Sequence, residues 1–219
     1  MDRITRLRSY LTGVLVERHP SNISGELEVW IQQGRYVLHS TGANYSFDTL
    51  HRVFQQTFRN IQVKEKNPER VLVLGLGAGS IPSILYEELH LRPEITGIEA
   101  DDAVIRLAKK YFNIQRFDKL SILHAKAEEF VSRCDEKFDL VISDVFVHTN
   151  VPEEASDKQY VSNLVRITAQ NGTGLINFII ETPQQKVRFR QAEQFLRAMC
   201  DRVSIVHASE INAVLVWRS

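Results

Sequence analysis

Cysteine is scarce in this chain, and long apolar runs are missing. Two cysteines occur among 219 residues, and Cys134 and Cys200 show no metal-ligand spacing, so we expect reduced thiols and no metal site. The N-terminus lacks the apolar stretch of a signal peptide, and no apolar run approaches membrane-spanning length. A cytoplasmic protein without a membrane partner is therefore expected.

Charge of either sign is not in excess. Lys plus Arg number 27, as do Asp plus Glu, so the chain as a whole should not be drawn to nucleic acid. The sequence contains no internal repeat and no low-complexity tract. With 43% hydrophobic residues the chain can bury a substantial core, which indicates one main domain with a small appendage.

The most informative motif is a glycine-rich turn after an apolar run. Residues 71–74 are Val-Leu-Val-Leu, and Gly75, Gly77 and Gly79 follow, as when a buried parallel strand ends in a tight turn that lets a ligand approach the backbone. Glu99 lies about 20 residues beyond the turn, where an acid at the tip of the next strand can bond to ribose hydroxyls. A nucleoside-binding crevice is predicted; the alternative is a structural turn with Glu99 facing solvent.

The position of the third glycine distinguishes two cofactors. A dinucleotide-binding turn has its last small residue one position later, where this chain has Ser80. Ser80 is instead predicted to cap the next helix, with Pro82 in its first turn. The observed spacing is the one that class I methyltransferases place beside the amino-acid end of S-adenosylmethionine. We therefore predict S-adenosylmethionine as the cofactor and rank NAD last.

The apolar periodicity changes near residue 42. Residues 1–42 alternate with period two and predict a small antiparallel β meander, whereas residues 43–219 predict a Rossmann-like α/β domain with helices on both faces of a mostly parallel sheet. Helices are expected at 47–58, 82–89, 102–111, 127–133, 156–168 and 184–200, and strands at 71–74, 94–99, 120–123, 139–143, 174–180, 203–207 and 213–217. The last two strands are too close for a crossover helix, so they should pair antiparallel or through a short hairpin.

Two segments resemble the spermidine and spermine synthase family. They are Glu99-Ala100-Asp101-Asp102-Ala103-Val104-Ile105-Arg106-Leu107-Ala108-Lys109-Lys110-Tyr111-Phe112 and Phe138-Asp139-Leu140-Val141-Ile142-Ser143-Asp144. The resemblance implies the class I methyltransferase fold with a reversed last strand, preceded by the meander. It also implies that Ala100, Lys126, Ala127 and Asp144 join Glu99 and the glycines at the cofactor. The oligomeric state is left open, although members commonly dimerise through the N-terminal strands.

Three positions depart from the polyamine synthases of that family. Ala78 stands where they carry an Asp that grips the ammonium of decarboxylated S-adenosylmethionine, and Val147 where they carry an Asp that deprotonates the amine. Lys126 replaces an Asp near the adenine, which would then be read through the Ala127 backbone or another side chain. These departures favour methyl transfer to a small-molecule acceptor. The alternatives are an aminopropyltransferase and a non-catalytic nucleoside-binding protein.

Three residues are candidates for catalysis. Asp144 is expected at the tip of the fourth strand, where open α/β sheets bind ligands, to contact the cofactor's amino group or the acceptor; its alternative role is a helix or loop cap. His148 titrates near neutrality and could act as a base, or could be an exposed loop residue without chemistry. Tyr45 is a candidate wall of the acceptor pocket, or a packing tyrosine.

Overall fold

The structure of the chain is a computed structural model that describes residues 7–40, 47–146 and 151–219. Its strands are β1 (Val14–Ser21), β2 (Gly25–Gln32), β3 (Arg35–Ser40), β4 (Arg70–Leu74), β5 (Glu94–Glu99), β6 (Leu120–His124), β7 (Phe138–Ser143), β8 (Thr168–Ile179), β9 (Arg202–His207) and β10 (Asn212–Arg218). Its helices are α1 (Phe47–Asn60), α2 (Val63–Lys66), α3 (Ser80–Ser83), α4 (Asp102–Tyr111), α5 (Ala127–Arg133), α6 (Lys158–Ile167) and α7 (Pro183–Met199). Among the described helices, none is long and apolar enough to cross a membrane.

The N-terminal strands form a three-stranded antiparallel sheet in the order β1-β2-β3. Gln33 and Gly34 connect β2 to β3 with φ angles of 50° and 76°, and two successive positive φ angles are what a type I′ hairpin requires. One face of this sheet, including Leu27 and Val29, packs on α4. The predicted meander is confirmed, and its first strand begins at Val14.

The larger sheet has seven strands in the order β6-β5-β4-β7-β8-β10-β9. β10 runs antiparallel to both of its neighbours, whereas the β4, β5, β6, β7 and β8 pairings are parallel. Alternate residues of β4 enter different cores: Val71 and Val73 pack with α1 and α3, and Leu72 and Leu74 pack with α5 and α6. This is the period-two pattern of a strand covered on both faces. The predicted fold class, including the reversed last strand, is confirmed.

Two predicted details of the helices are wrong. Gly79, not Ser80, holds the cap position of α3, with a φ of 91° that favours glycine. After Ser83 this helix widens into a π-helical turn, Ile84–Glu88. The helix predicted to end at residue 168 stops at Ile167, because Thr168 has an extended backbone (φ −71°, ψ 129°) and pairs with Phe138 of β7.

Candidate active site

The surroundings of Gly75, Gly77 and Gly79 differ, so a side chain would have a different effect at each of the three positions. A Cβ on Gly75 would lie 2.3 Å from the Asp144 carbonyl oxygen, and one on Gly79 would lie 3.0 Å from the Ile114 side chain. A Cβ on Gly77 would meet no described atom within 4 Å. Close packing of protein on protein therefore requires Gly75 and disfavours a side chain at Gly79, whereas Gly77 opens onto free space. Of the three glycines predicted to let a ligand approach the backbone, only Gly77 has open space where its side chain would be.

Glu99 at the end of β5 stabilises the glycine turn through a hydrogen bond. Its Oε2 accepts a hydrogen bond from the Gly77 N–H at 2.9 Å, and its Oε1 accepts one from the Asp101 N–H at 3.1 Å. Burial raises the pKa of the Glu99 carboxyl, while these two bonds act in the opposite direction. Each carboxylate oxygen has two lone-pair directions, so both oxygens keep capacity for a ribose hydroxyl. Glu99 is therefore a bonded, partly buried group rather than a side chain that only faces solvent.

Asp101 connects the crevice to the N-terminal sheet. It is buried and caps α4 by accepting from the Ala103 N–H at 2.9 Å. It also accepts from the hydroxyls of Ser21, the last residue of β1, and Ser24, in the β1–β2 connection. Sequence reasoning missed this cluster. The signal for the cap was present, because an aspartate stood just before a helical pattern. Its two serines are 80 and 77 residues away and gave no local signal.

The residues proposed for the adenine side lie at the adjoining strand end. Glu99 pairs with His124 in the β5–β6 register, and the Ala100 carbonyl lies 3.0 Å from the His124 Nε2. Lys126 occupies the cap position of α5 without a side-chain cap bond, and its side chain is exposed. Ala127 is buried as the first residue of that helix. The fold therefore brings Ala100, Lys126 and Ala127 to the edge that carries Glu99.

Asp144 follows β7 and is buried, with 7% of the residue exposed. Its Oδ1 accepts from the Asn177 Nδ2 at 2.9 Å, and its backbone N–H donates to the Leu74 carbonyl at 2.8 Å. Burial raises the pKa of the Asp144 carboxyl to about 7; the Asn177 bond opposes this rise, and the charge of Glu99 adds to it. Asp144 thus has the near-neutral pKa suited to a general base, and the carboxyl bonds within the sheet rather than to a helix start.

A cavity of about 440 Å³ lies beside the turn, and Ala78 lines it. Arg35 and Arg116 contribute positive charge to its lining, and Glu87 and Glu88 contribute negative charge. These four charges balance, so the cavity itself carries no net charge when its histidine is neutral. Negative charge in the crevice comes instead from Glu99 and Asp144 in their ionised forms, and an ionised carboxylate there favours a ligand with a cationic centre. Tyr45, Val147 and His148 lie outside the described residues, so their predicted roles stay predictions.

Solved structures with this fold include complexes with AdoDATO and with SAH. A spermidine synthase in complex with the transition-state analogue AdoDATO aligns with a TM-score of 0.72 and 17% identity, covering 94% of this chain and 73% of that one. Human methyltransferase-like protein 13 in complex with SAH aligns with a TM-score of 0.61 and 17% identity, covering 77% of this chain and 81% of that one. At such identities the likeness shows the shared fold.

Several curated relatives are named for an activity different from the predicted methyl transfer. The polyamine aminopropyltransferase of Vibrio vulnificus is 27% identical over 113 residues, and that of Streptococcus uberis is 30% identical over 118 residues. The matches cover 50% and 48% of this chain but only 38% of each relative's length. These names contradict the prediction of methyl transfer and favour its aminopropyltransferase alternative. The prediction failed because a glycine turn and a following acid bind the nucleoside of either donor, whichever group leaves the sulfur.

The family comparison covers most of the Rossmann-like part. A family model described as the spermine/spermidine synthase domain matches residues 58–208. This range runs from the end of α1 to just beyond β9, so it contains the glycine turn, Glu99 and Asp144 together. The chain therefore belongs to the spermine/spermidine synthase domain family.

Proposed function

We propose that this chain is an aminopropyltransferase that takes decarboxylated S-adenosylmethionine as donor and a small amine as acceptor. The observation that carries the proposal is the pair of carboxyl groups, Glu99 at the end of β5 and Asp144 after β7, on the two strands that flank β4 and its glycine turn. Glu99 would hold the ribose, and Asp144 would lie at the reacting end. Both donor and acceptor are cationic, which matches the charge of this crevice.

The transfer is a displacement at carbon. The lone pair of the acceptor nitrogen forms a C–N bond to the aminopropyl carbon attached to sulfur, and the C–S bond breaks. Its electrons pass to the sulfonium, which becomes the neutral thioether of methylthioadenosine. The proton lost by the acceptor nitrogen passes to the Asp144 carboxylate. A base with a pKa of about 7 is ionised in half of the molecules at that pH and can still accept a proton.

The alanine at position 78 lowers the rate that we expect for the proposed transfer. It supplies no carboxylate for the donor's ammonium, so the proposal gives Asp144 two tasks, contacting the donor and accepting the proton. We therefore expect slow turnover. The cavity of about 440 Å³ beside Ala78 falls within the size range of small-molecule sites and supports binding of an acceptor next to the turn.

The experiment incubates the purified chain with decarboxylated S-adenosylmethionine and a panel of diamines and polyamines, and measures methylthioadenosine by mass spectrometry. Parallel reactions contain S-adenosylmethionine, from which methyl transfer would release S-adenosylhomocysteine. We expect methylthioadenosine that depends on the amine and is lost in Asp144→Asn. The pH profile should rise through about 7, because the ionised carboxylate is the active form.

Two outcomes would overturn the proposal. Release of S-adenosylhomocysteine without methylthioadenosine would assign a different transfer. Binding of the donor by calorimetry, with no product at any pH or with any amine, would instead identify a nucleoside-binding protein without turnover, the reading that Ala78 favours.

A further inference from the structure

A polar side chain is buried in the middle of an apolar strand. Asn177 of β8 is 1% exposed and stands between Ile176 and Phe178, each also 1% exposed. A buried amide is unfavourable unless its donor and acceptor groups are bonded. Its position in β8 therefore points to specific partners rather than to packing.

Both ends of the Asn177 amide have a partner. Its Nδ2 donates to the Asp144 Oδ1 at 2.9 Å, and its Oδ1 accepts from the Asn212 Nδ2 at 3.3 Å. The Asn212 Oδ1 accepts in turn from the Ser209 hydroxyl at 3.0 Å. This order fixes the amide orientation, because a rotated Asn177 would turn its oxygen toward the Asp144 carboxylate and its NH2 toward that of Asn212.

The strand register places the three side chains on one line. Ser143 pairs with Ile176 in β7–β8, so Asp144 comes next to Asn177. Asn177 pairs with Val214 in β8–β10, which puts Asn212 two residues away on the same face. The line ends at Ser209 in the connection between β9 and β10. The Asp144 Oδ2 makes no bond to a described residue, so this oxygen is the one left for a ligand.

We propose that Asn177, held by Asn212 and Ser209, is a positioning residue that fixes the Asp144 carboxyl with one oxygen bonded and the other presented to the reactants. This inference rests on the proposed function for its catalytic consequence, though not for the contact itself. Asn177 touches Asp144 and acts through it.

The charge balance around Asp144 gives the expected direction of the effect. An N–H donated by Asn177 stabilises the ionised carboxylate, against burial and the charge of Glu99. Behind β7, Tyr160 bonds to the Ser143 hydroxyl, and burial raises the pKa of Tyr160 well above its usual value, so it stays neutral. Loss of the Asn177 amide should therefore raise the pKa of Asp144.

The test follows the Asp144 carboxyl by NMR in protein labelled with 13C-aspartate, with Asp144→Asn assigning its resonance. Asn177→Leu keeps the side chain near its original size and removes both bonds. We expect its titration midpoint to rise by about one pH unit, which lowers the ionised fraction at pH 7 from about one half to about one tenth. The methylthioadenosine assay should show the same shift in pH profile, with kcat falling more than the donor KM rises.

Two further variants make the result decisive. Asn212→Leu leaves Asn177 in place and should produce a smaller shift in the same direction. Thr173→Val changes another buried polar residue of β8, which lies four residues before Asn177 and pairs with Leu140 rather than with the end of β7, and should alter stability without moving the titration. An unchanged Asp144 midpoint in folded Asn177→Leu overturns the proposal. If the Asp144 midpoint shifts in Asn177→Leu but the parent protein forms no methylthioadenosine, the contact between Asn177 and Asp144 is upheld and the proposed function is refuted.

Discussion

Alanine at Gly75 and alanine at Gly77 should have separable effects on folding and binding. Both positions have positive φ angles, +80° and +56°, so either substitution adds left-handed strain of about 1–2 kcal/mol. At Gly77 no described atom lies near the new Cβ, and the melting temperature should fall by only about 2–8 °C. At Gly75 the Cβ meets the backbone oxygen and carbon of Asp144 at 2.3 and 2.8 Å, and the destabilisation should exceed about 4 kcal/mol.

Thermal denaturation and calorimetry with methylthioadenosine test this pair of variants. Gly77→Ala should fold and bind at least about tenfold more weakly, a loss of roughly 1.4 kcal/mol, because its methyl group enters the space left for the ligand. Gly75→Ala should melt more than about 10 °C below the parent. Equal melting temperatures in the two variants, or parental affinity in Gly77→Ala, would refute this account of the turn.

Three other predictions concern single residues. Glu99→Gln can accept only one of the two backbone N–H bonds that Glu99 accepts, so calorimetry should show methylthioadenosine affinity lowered by about 1–3 kcal/mol; unchanged affinity would remove Glu99 from the site. The pKa of Asp144 is raised from 3.8 to about 7, so its contribution to stability is present below pH 3.8 and is lost as pH rises through 7. Urea unfolding of Asp144→Asn should therefore depend less on pH over that interval, and identical dependence would contradict the raised value. Gly174→Ala puts a Cβ 1.9 Å from the buried Trp217 ring and should lower the free energy of unfolding in urea by more than about 4 kcal/mol. An unfolding midpoint equal to that of the parent would contradict this and show that the ring can move.

The parts of the site that sequence reasoning found are local in the chain. The apolar run, the three glycines and Glu99 fall within one strand–turn–helix–strand unit, and their spacing reflects the geometry of that unit. The alternation of β4 between two cores is likewise encoded residue by residue. Such features can be predicted because their partners are near in sequence or are set by the period of the strand.

The parts that sequence reasoning missed depend on register between distant strands. Asn177 and Asn212 are 35 residues apart, and they meet only because β10 inserts between β8 and β9. The one available signal was an asparagine within the apolar β8 sequence. Gly75 illustrates the same limit: its spacing was informative, but the contact that excludes a side chain comes from Asp144 on a neighbouring strand.

Glu99 and Asp144, the two carboxyl groups of the crevice, are both in contact with the glycine turn. Gly77 donates to Glu99, and Gly75 packs on the backbone of Asp144, so a shift of the turn would move both. Within the proposed reaction this arrangement couples binding to base strength. A sulfonium near Asp144 lowers its pKa and increases the ionised fraction when the donor is bound. After transfer the sulfur is neutral, and the pKa of Asp144 rises again with the proton just received. Loss of the donor's positive charge then weakens the attraction that held the nucleoside, which favours release of methylthioadenosine.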